Sequence, residues 1–432
     1  MRKPLTIAST MMAAGAIITG IAWMLLPNLF SLREPEPLVL SYAEMTGSIF
    51  LPAPGDPFRA PKVRELELPR FDNATSIWGA LGRDPRGHIW VGVSAENTGM
   101  SAHLFEYDPT TEAWHDHGSV IAHLKAAGQL RENQGQIKIH SRIVTASDGW
   151  LYFASSDEDG EDERSGALPR WGAHLWRIHP LHYNWEHLLA VPEGVVAVSG
   201  VGRYVYALGY WGHVLYQYDT VRRESKRVIV GSVDGHVSRN FLSDIRGHVY
   251  VPRVATRGDG TRSADLVEFD ESLREIGTTP LDHYLGRGSP GENHGIVGLA
   301  YLPDGRMAFS THIGHLYLIT PGETGKASIT AVGRLHPKGD AYAPSLFQLA
   351  DTSLLAGVAQ RDGRFEWLVY DLRTRVGGAF PLDTAALQKV LLYGSISRDN
   401  AGRAYVGGWA AKASGGQRPL VLQITPFDGV KS

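Results

Sequence analysis

Hydrophobic and polar positions alternate along most of the chain with a period of two, in short runs separated by Gly, Asp, Asn and Pro. This is the pattern of half-buried strands joined by tight turns. One phrase recurs at intervals of roughly 40 to 50 residues: Asp-x-x-Gly-His or a relative of it, an aromatic and β-branched run, then a second run ending in Tyr-Asp. A full copy is Asp84-Pro85-Arg86-Gly87-His88-Ile89-Trp90-Val91, with Leu104-Phe105-Glu106-Tyr107-Asp108 after it. Relatives of its first half contain Asp148, Asp244, Asp304 and Asp399. Asp and Gly accept the backbone angles of a tight hairpin, so the turn comes first and a strand follows.

Seven units follow from this spacing, near 76–120, 137–192, 195–233, 237–280, 294–335, 342–382 and 391–425. Each holds four short strands, and the third ones align best: 102–107, 173–178, 213–218, 264–269, 314–319, 366–370 and 419–424. Four-stranded units in this number predict an all-β chain, a seven-bladed β-propeller whose blades surround a central channel. A β-sandwich need not repeat, and a solenoid repeats at shorter intervals. Helical periodicity is confined to the N-terminus and a stretch near 120–127.

Ahead of the repeats, Arg2 and Lys3 precede an uncharged stretch from Leu5 to Phe30. At about 1.5 Å per residue it is long enough for a bilayer core of roughly 30 Å. The expectation is one N-terminal transmembrane helix, a signal anchor over 1–32 that makes the membrane a partner and leaves the body outside the cytoplasm. The alternative is a cleaved signal peptide with secretion, although no small-x-small exit follows Trp23. Residues 33–65 form a Pro-rich spacer with a strand expected at 38–42, and the segment 38–68 is a candidate to close the last blade. The propeller then occupies 66–432.

Composition narrows the chemistry. A formal net charge of −3 over 432 residues gives no general attraction to nucleic acid. The absence of cysteine excludes disulfides, zinc–thiolate sites, thiol nucleophiles and a lipidated N-terminal cysteine. No Gly-x-Ser-x-Gly elbow, P-loop or dinucleotide fingerprint is present.

In a propeller, the loops entering the innermost strands and those joining second to third strands emerge on one face. Mapped there are His140, His236, Arg239, His294 and Tyr342 from the first set, and Tyr210, Arg253, His312 and Trp409 from the second. Histidine exchanges protons near neutrality, and tyrosine does so when cations lower its pKa; arginine neutralises a carboxylate through paired hydrogen bonds. His140, Tyr210, His236 and Arg239 are therefore the candidate catalytic residues. Arg253, His294, His312, Tyr342 and Trp409 are the candidates for substrate binding. A divalent metal held by His140, His236, His294 and His312 is the weaker alternative, without a supporting motif. His88 and His248 recur with the repeat and read as structural. The acidic loop 155–171, with Asp157, Glu158, Asp159, Glu161, Asp162 and Glu163, lacks calcium-loop spacing and reads as a solvated lid.

Over the repeat body the chain resembles, in architecture and without a diagnostic motif, the seven-bladed propeller families that include ulvan lyases and oligogalacturonate lyases. The resemblance implies β-elimination on uronic-acid glycans. His140 or Tyr210 would act as base or acid, and Arg239 or Arg253 would neutralise the sugar carboxylate. The acidic loop and the membrane tether depart from that pattern. The reading from a different class is a non-catalytic propeller of the cell envelope that holds an anionic glycan or a protein partner on the same face.

Overall fold

A computed structural model describes residues 39–48, 56–96, 100–162, 165–233, 235–286, 295–349, 353–384 and 389–426. Its strands form seven antiparallel sheets, the seven-bladed β-propeller that the repeat predicts. Blade 1 begins with an inner edge split into Ala74–Ser76 and Leu81–Arg83 and continues through Ile89–Ala95, His103–Asp108 and Ala113–Ser119. Blade 2 has an inner edge of Lys138–Ile139 and Val144–Thr145, then Leu151–Ser156, Ala173–Ile178 and Trp185–Val191. Blade 3 comprises Gly194–Val201, Tyr204–Tyr210, Val214–Asp219 and Glu224–Ile229; blade 4, Leu242–Ser243, Val249–Thr256, Arg262–Phe269 and Glu275–Pro280. Blade 5 comprises Ile296–Tyr301, Met307–Thr311, His315–Thr320 and Ser328–Arg334; blade 6, Tyr342–Gln348, Leu354–Arg361, Arg364–Asp371 and Val376–Pro381. Blade 7 has Val390–Arg398, Ala404–Ala411 and Gln417–Thr425 from the end of the chain, and Lys62–Leu66 from its beginning as the outermost strand.

That last pairing sets Lys62 opposite Thr425 and Leu66 opposite Val421, so the two ends of the propeller sequence share one sheet. The ring is glued by apolar cores between neighbouring blades. Trp90, Phe153 and Trp176 meet between blades 1 and 2, while Tyr250, Phe309 and Ile319 meet between blades 4 and 5. Trp367, Leu392 and Val406 join blades 6 and 7, and Val91, Phe105, Tyr405 and Val421 join blade 7 to blade 1. Second and third strands are buried nearly throughout, whereas the outer strand Glu224–Ile229 is exposed at five of its six positions, three of them charged.

The recurring phrase has a physical job in the turn between first and second strands. Asp84 accepts the backbone N–H groups of Arg86 and His88 at 2.9 and 3.1 Å, and Asp244 repeats this with Arg246 and His248 at 2.9 and 3.1 Å. Asp399 accepts Ala401 and Arg403 at 2.9 Å each, and its second oxygen takes the Tyr405 hydroxyl at 2.8 Å. In blades 2 and 5 the backbone turn starts at Ala146 and Leu302 instead, and Asp148 and Asp304 stand two residues further on. The repeat thus tolerates its acid at either of two turn positions, because the second still reaches the last of those donors, the N–H of Trp150 or Arg306, at 3.2 Å. His88 and His248 point their Nδ1 at Glu106 and Glu268, 2.6 and 2.8 Å away, within their own blades.

Two expectations need comment. The strand expected at 38–42 is not formed by residues 39–42; Ser41 instead caps a short helix, Tyr42–Thr46, through a reciprocal capping box with Glu44. Gly47, at φ 66°, ends that helix in the left-handed region where glycine is favoured. The apolar stretch 5–30 lies outside the described residues, among which no helix is long and apolar enough to cross a membrane.

Asp399 is 2 % exposed and pairs with Arg403, itself buried at 5 %, at 2.6 Å. Removing the acid strands a buried guanidinium and frees the turn's amides, so Asp399→Ala should cost about 3 kcal/mol. Urea denaturation followed by tryptophan fluorescence measures this; a loss below about 1 kcal/mol would reduce the acid to an ordinary turn residue.

Candidate functional site

The inner strands are irregular at one shared level. Their pairing with second strands shifts register between Ala74 and Ser76, Val195 and Ala197, Ile296 and Gly298, Tyr342 and Ser345, and Tyr393 and Ile396. In blades 1 and 2 the inner edge breaks at that level, around Trp78 and His140, and in blade 4 it shortens to Leu242–Ser243 while Asn240 bridges across to Ile296 of blade 5. Bulges of this kind turn side chains out of the sheet. Here they place Trp78, His140, Val196 and Arg239 around one throat of about 10 Å³, room for roughly one water-sized group.

Arg239 is the hub. Its Nη1 lies 3.3 Å from His140 Nε2, and its Cζ stands 5.1 Å from the centroid of Tyr393. A guanidinium only donates, so the His140 Nε2 it meets is the unprotonated acceptor. Trp78 leans on Tyr393 at 4.7 Å and on His140 at 6.0 Å, and Lys138 Nζ sits 4.6 Å from the Trp78 ring. No carboxylate pairs with Arg239 among the described residues, and its buried Nε has no hydrogen-bond partner there. Its charge reaches His312, which burial and then Arg239 hold below the usual imidazole value. Tyr342 is stacked obliquely 5.2 Å from His312, and burial raises its pKa against the pull of Arg239. His312 and Tyr342 also line a groove of about 630 Å³ shared with Arg334, Asp340 and Arg361.

The acidic loop is docked rather than solvated. Glu158 binds Lys138 at 2.5 Å, Asp157 is buried, and Tyr210 donates its hydroxyl to Glu161 at 2.7 Å. Trp211 donates its indole N–H to the Ala167 carbonyl at 3.2 Å. Burial pushes Glu161 up to about 7 and Asp157 up to about 6, and the neighbouring acids add to both. Burial, then the charge of Glu161, raises the Tyr210 pKa, opposite to the lowering that a base or acid near neutrality requires.

His140 and Arg239 are thus brought into contact, and His312 and Tyr342 into a pair beside them. Trp409 stands next to Tyr393 on blade 7. His236 is turned inward, 1 % exposed, between the Ser232 hydroxyl at 2.8 Å and the Tyr284 hydroxyl at 2.9 Å. Arg253 is spent on Glu275, both of whose oxygens lie 3.0–3.1 Å from it. His294 lies outside the described residues. Among the described residues the channel histidines form no metal-sized group. The one group of acids and imidazoles that comes close enough is Asp84, His88 and Glu106. There the Arg86 guanidinium already bridges Asp84 at 2.5 Å and Glu106 at 2.6 Å, which leaves no deficit of positive charge for a cation to fill.

Trp78, Lys138 and Tyr393 belong to the mouth and escaped the sequence reading. Trp78 and Tyr393 do carry a signal, since each is an aromatic residue next to a glycine where a unit enters its first strand.

No protein-family model matches the sequence, and no curated protein matches it. Among solved structures the chain is similar to the extracellular domain of a hybrid two-component system from B. thetaiotaomicron, at 14% identity and a TM-score of 0.50 over 84% of this chain. The chain spans 39% of the length of that protein's chain. It is also similar to the β-propeller domain of the Trilobed protease from Pyrococcus furiosus, at 8% identity and a TM-score of 0.47, over 83% of this chain and 98% of the other. Likeness at this level shows the fold alone.

The docked loop should respond to pH. Glu161 faces Tyr210, Glu158, Lys138 and Asp157, and its folded value of about 7 lies above the 4.5 of a free glutamate. The docked state therefore holds the extra proton, and its advantage falls as pH rises from about 4.5 through about 7. Hydrogen exchange of residues 157–162 should be faster at pH 8 than at pH 5.5 after correction for intrinsic rates, and Glu161→Gln should shrink the difference to the smaller part that Asp157, raised to about 6, supplies. Equal protection at both values would refute the linkage.

Proposed function

We propose that the chain is a ligand-binding propeller of the cell envelope whose mouth grips the carboxylate of an acidic sugar. The observation that carries this reading is Arg239, a cation held between His140 and Tyr393 without a carboxylate partner among the described residues. A guanidinium so placed binds a carboxylate through two parallel hydrogen bonds. Trp78, Tyr393 and Tyr342 supply ring faces beside it, the surface on which a sugar's C–H face packs. The throat has room for about one water-sized group, which suits an acidic substituent whose ring stays outside. A position outside the cytoplasm is supported by the apolar, positively flanked stretch near the N-terminus.

A second reading, β-elimination on a uronic-acid glycan, is favoured by the contact of Arg239 with the unprotonated nitrogen of His140. Arg239 would neutralise the carboxylate, His140 would take the proton from the adjacent carbon, the electron pair of that C–H bond would form the new C=C bond as the C–O bond beyond it breaks, and the protonated His140 would return the proton to the departing oxygen. Against this reading, the second expected proton carrier, Tyr210, is committed to Glu161.

Both readings meet in one experiment on the full-length chain. Galacturonate, glucuronate and iduronate oligomers are titrated by calorimetry while absorbance near 235 nm records any unsaturated product. Binding that weakens at least tenfold, about 1.4 kcal/mol, in Arg239→Ala, with flat absorbance, is the expected result. Rising absorbance that His140→Ala abolishes would establish the lyase instead. Failure to bind any uronate, with binding of acidic peptides in its place, would overturn the sugar.

A further inference from the structure

The opposite end of the channel is closed by the chain itself. Residues 40–48 lie across it: Leu40 donates its N–H to Ser147 at 2.8 Å, the Ser48 hydroxyl donates to the Tyr301 carbonyl at 2.8 Å, and Leu40 and Met45 pack on Val201. Gly47 sits directly on Arg83, where a β-carbon would fall 2.6 Å from that side chain. Beneath this plug is a cavity of about 80 Å³, room for roughly six water-sized centres.

Three arginines from three blades line the cavity: Arg83, Arg142 and Arg398. Among the described residues lining it there is no Asp or Glu. Arg398 is engaged by carbonyls, those of Gln348 and Leu349 at 2.8 Å and that of Gly47 at 2.9 Å. The other two differ. Arg83, 8 % exposed, gives Nη2 to Asn400 at 2.6 Å and Nε to the Asp84 carbonyl at 3.3 Å, but its buried Nη1 has no partner among the described residues. The Arg142 guanidinium makes no hydrogen bond or ion pair among the described residues. Gln348, 3 % exposed, likewise has an unpartnered Nε2 among the lining groups. The carboxylates whose fields reach Arg83 are Asp84 and Asp399, and each is bound by its own arginine, Arg86 and Arg403.

Arginine keeps its charge in a protein interior, so burying three such groups around one cavity without a counter-charge is costly. Two of the lining residues, Arg83 and Gln348, also carry buried N–H donors without an acceptor among the described residues, which adds to the cost. We propose that this cavity is a built site for one small oxyanion of the phosphate or sulfate kind, which bridges blades 1 and 2 and holds the plug down. An oxyanion presents several acceptors at once, which matches the spare donors of Arg83, Arg142 and Gln348. A sugar is too large, and a cation would face guanidinium groups. The site is separate from the mouth, although Arg142 lines both the throat and the cavity.

The test uses the full-length chain dialysed free of phosphate and sulfate. Melting is followed at pH 7 in phosphate, sulfate and, at matched ionic strength, a bulky sulfonate buffer salt. Phosphate or sulfate should raise the melting temperature by about 3 °C at a hundredfold excess over the dissociation constant. Ion chromatography of the denatured, freshly purified protein should release close to one equivalent of one of them. Arg142→Met should lose the anion-dependent rise and melt no lower than the parent in the sulfonate salt, because it removes an uncompensated charge. Arg83→Gln serves if that variant fails to fold, and Arg239→Ala should keep the rise. Identical melting in all three salts with no released anion, or an undiminished rise in both Arg142→Met and Arg83→Gln, would overturn the proposal.

Discussion

Everything in this molecule depends on the closure of the ring. A blade is a twisted sheet with two apolar faces, and neither face can be left in water, so each blade needs a neighbour on both sides. Tyr405 and Val421 of blade 7 find Val91 and Phe105 of blade 1 only if the ends of the propeller meet. The Lys62–Leu66 strand ties that meeting together, since it hydrogen-bonds a strand more than 350 residues away, covers the edge of Gln417–Thr425 and gives blade 7 its fourth strand. Once seven sheets are arranged radially, their innermost strands crowd around an axis. Whatever side chains those strands carry must share a narrow channel.

The channel explains why charges gather where they do. At the inner edge, side chains of different blades face one another across a few ångströms, and a cation there is partly desolvated by its neighbours. Arg239 at one end is stabilised by aromatic faces and an imidazole nitrogen in place of a carboxylate. Arg398 at the other end is stabilised by carbonyl oxygens. Each is a positive charge balanced by dipoles, which is also what an anion receptor requires: donors held in place by packing and not neutralised by a fixed acid. The acids of the turns do the reverse. Asp84, Asp244 and Asp399 are each closed on an arginine two or four residues away and on backbone amides, so they hold hairpins and have no spare capacity.

The periodic part of this design was legible in the sequence, and the aperiodic part was not. Strand alternation and the Asp–Gly turns locate blades, and the observed third strands, from His103–Asp108 to Gln417–Thr425, fall within a residue or two of the expected ones. Bulges leave no comparable mark, because one extra residue in an inner strand changes which side chains enter the channel without disturbing the pattern around it. Hence His140 and Arg239, expected on one face, do meet there, while His236 is turned into packing against Tyr284, and Trp78 joins them without a mark in the repeat. Loop position and residue type make Tyr210 a candidate, and only the docked loop reveals the acid that occupies it. The Ser41-x-x-Glu44 capping box was there to be read, but the apolar run Leu38-Val39-Leu40 beside it suggested a strand.

The buried arginines do follow from the repeat once its geometry is known. Arg83, Thr145, Tyr301, Gln348 and Arg398 all stand immediately before the turn that leads out of a first strand, and all five line the cavity. One repeat position therefore writes the wall of the inner chamber, and blades 1 and 7 fill it with arginine. A repeat that tolerates threonine there has no packing need for a guanidinium, which is larger, charged and harder to bury. Arginine at adjacent blades, with a donor left over on Arg83 and the chain's own Gly47 shaped to lie on it, is better explained by something the chamber holds than by the stability of the blades.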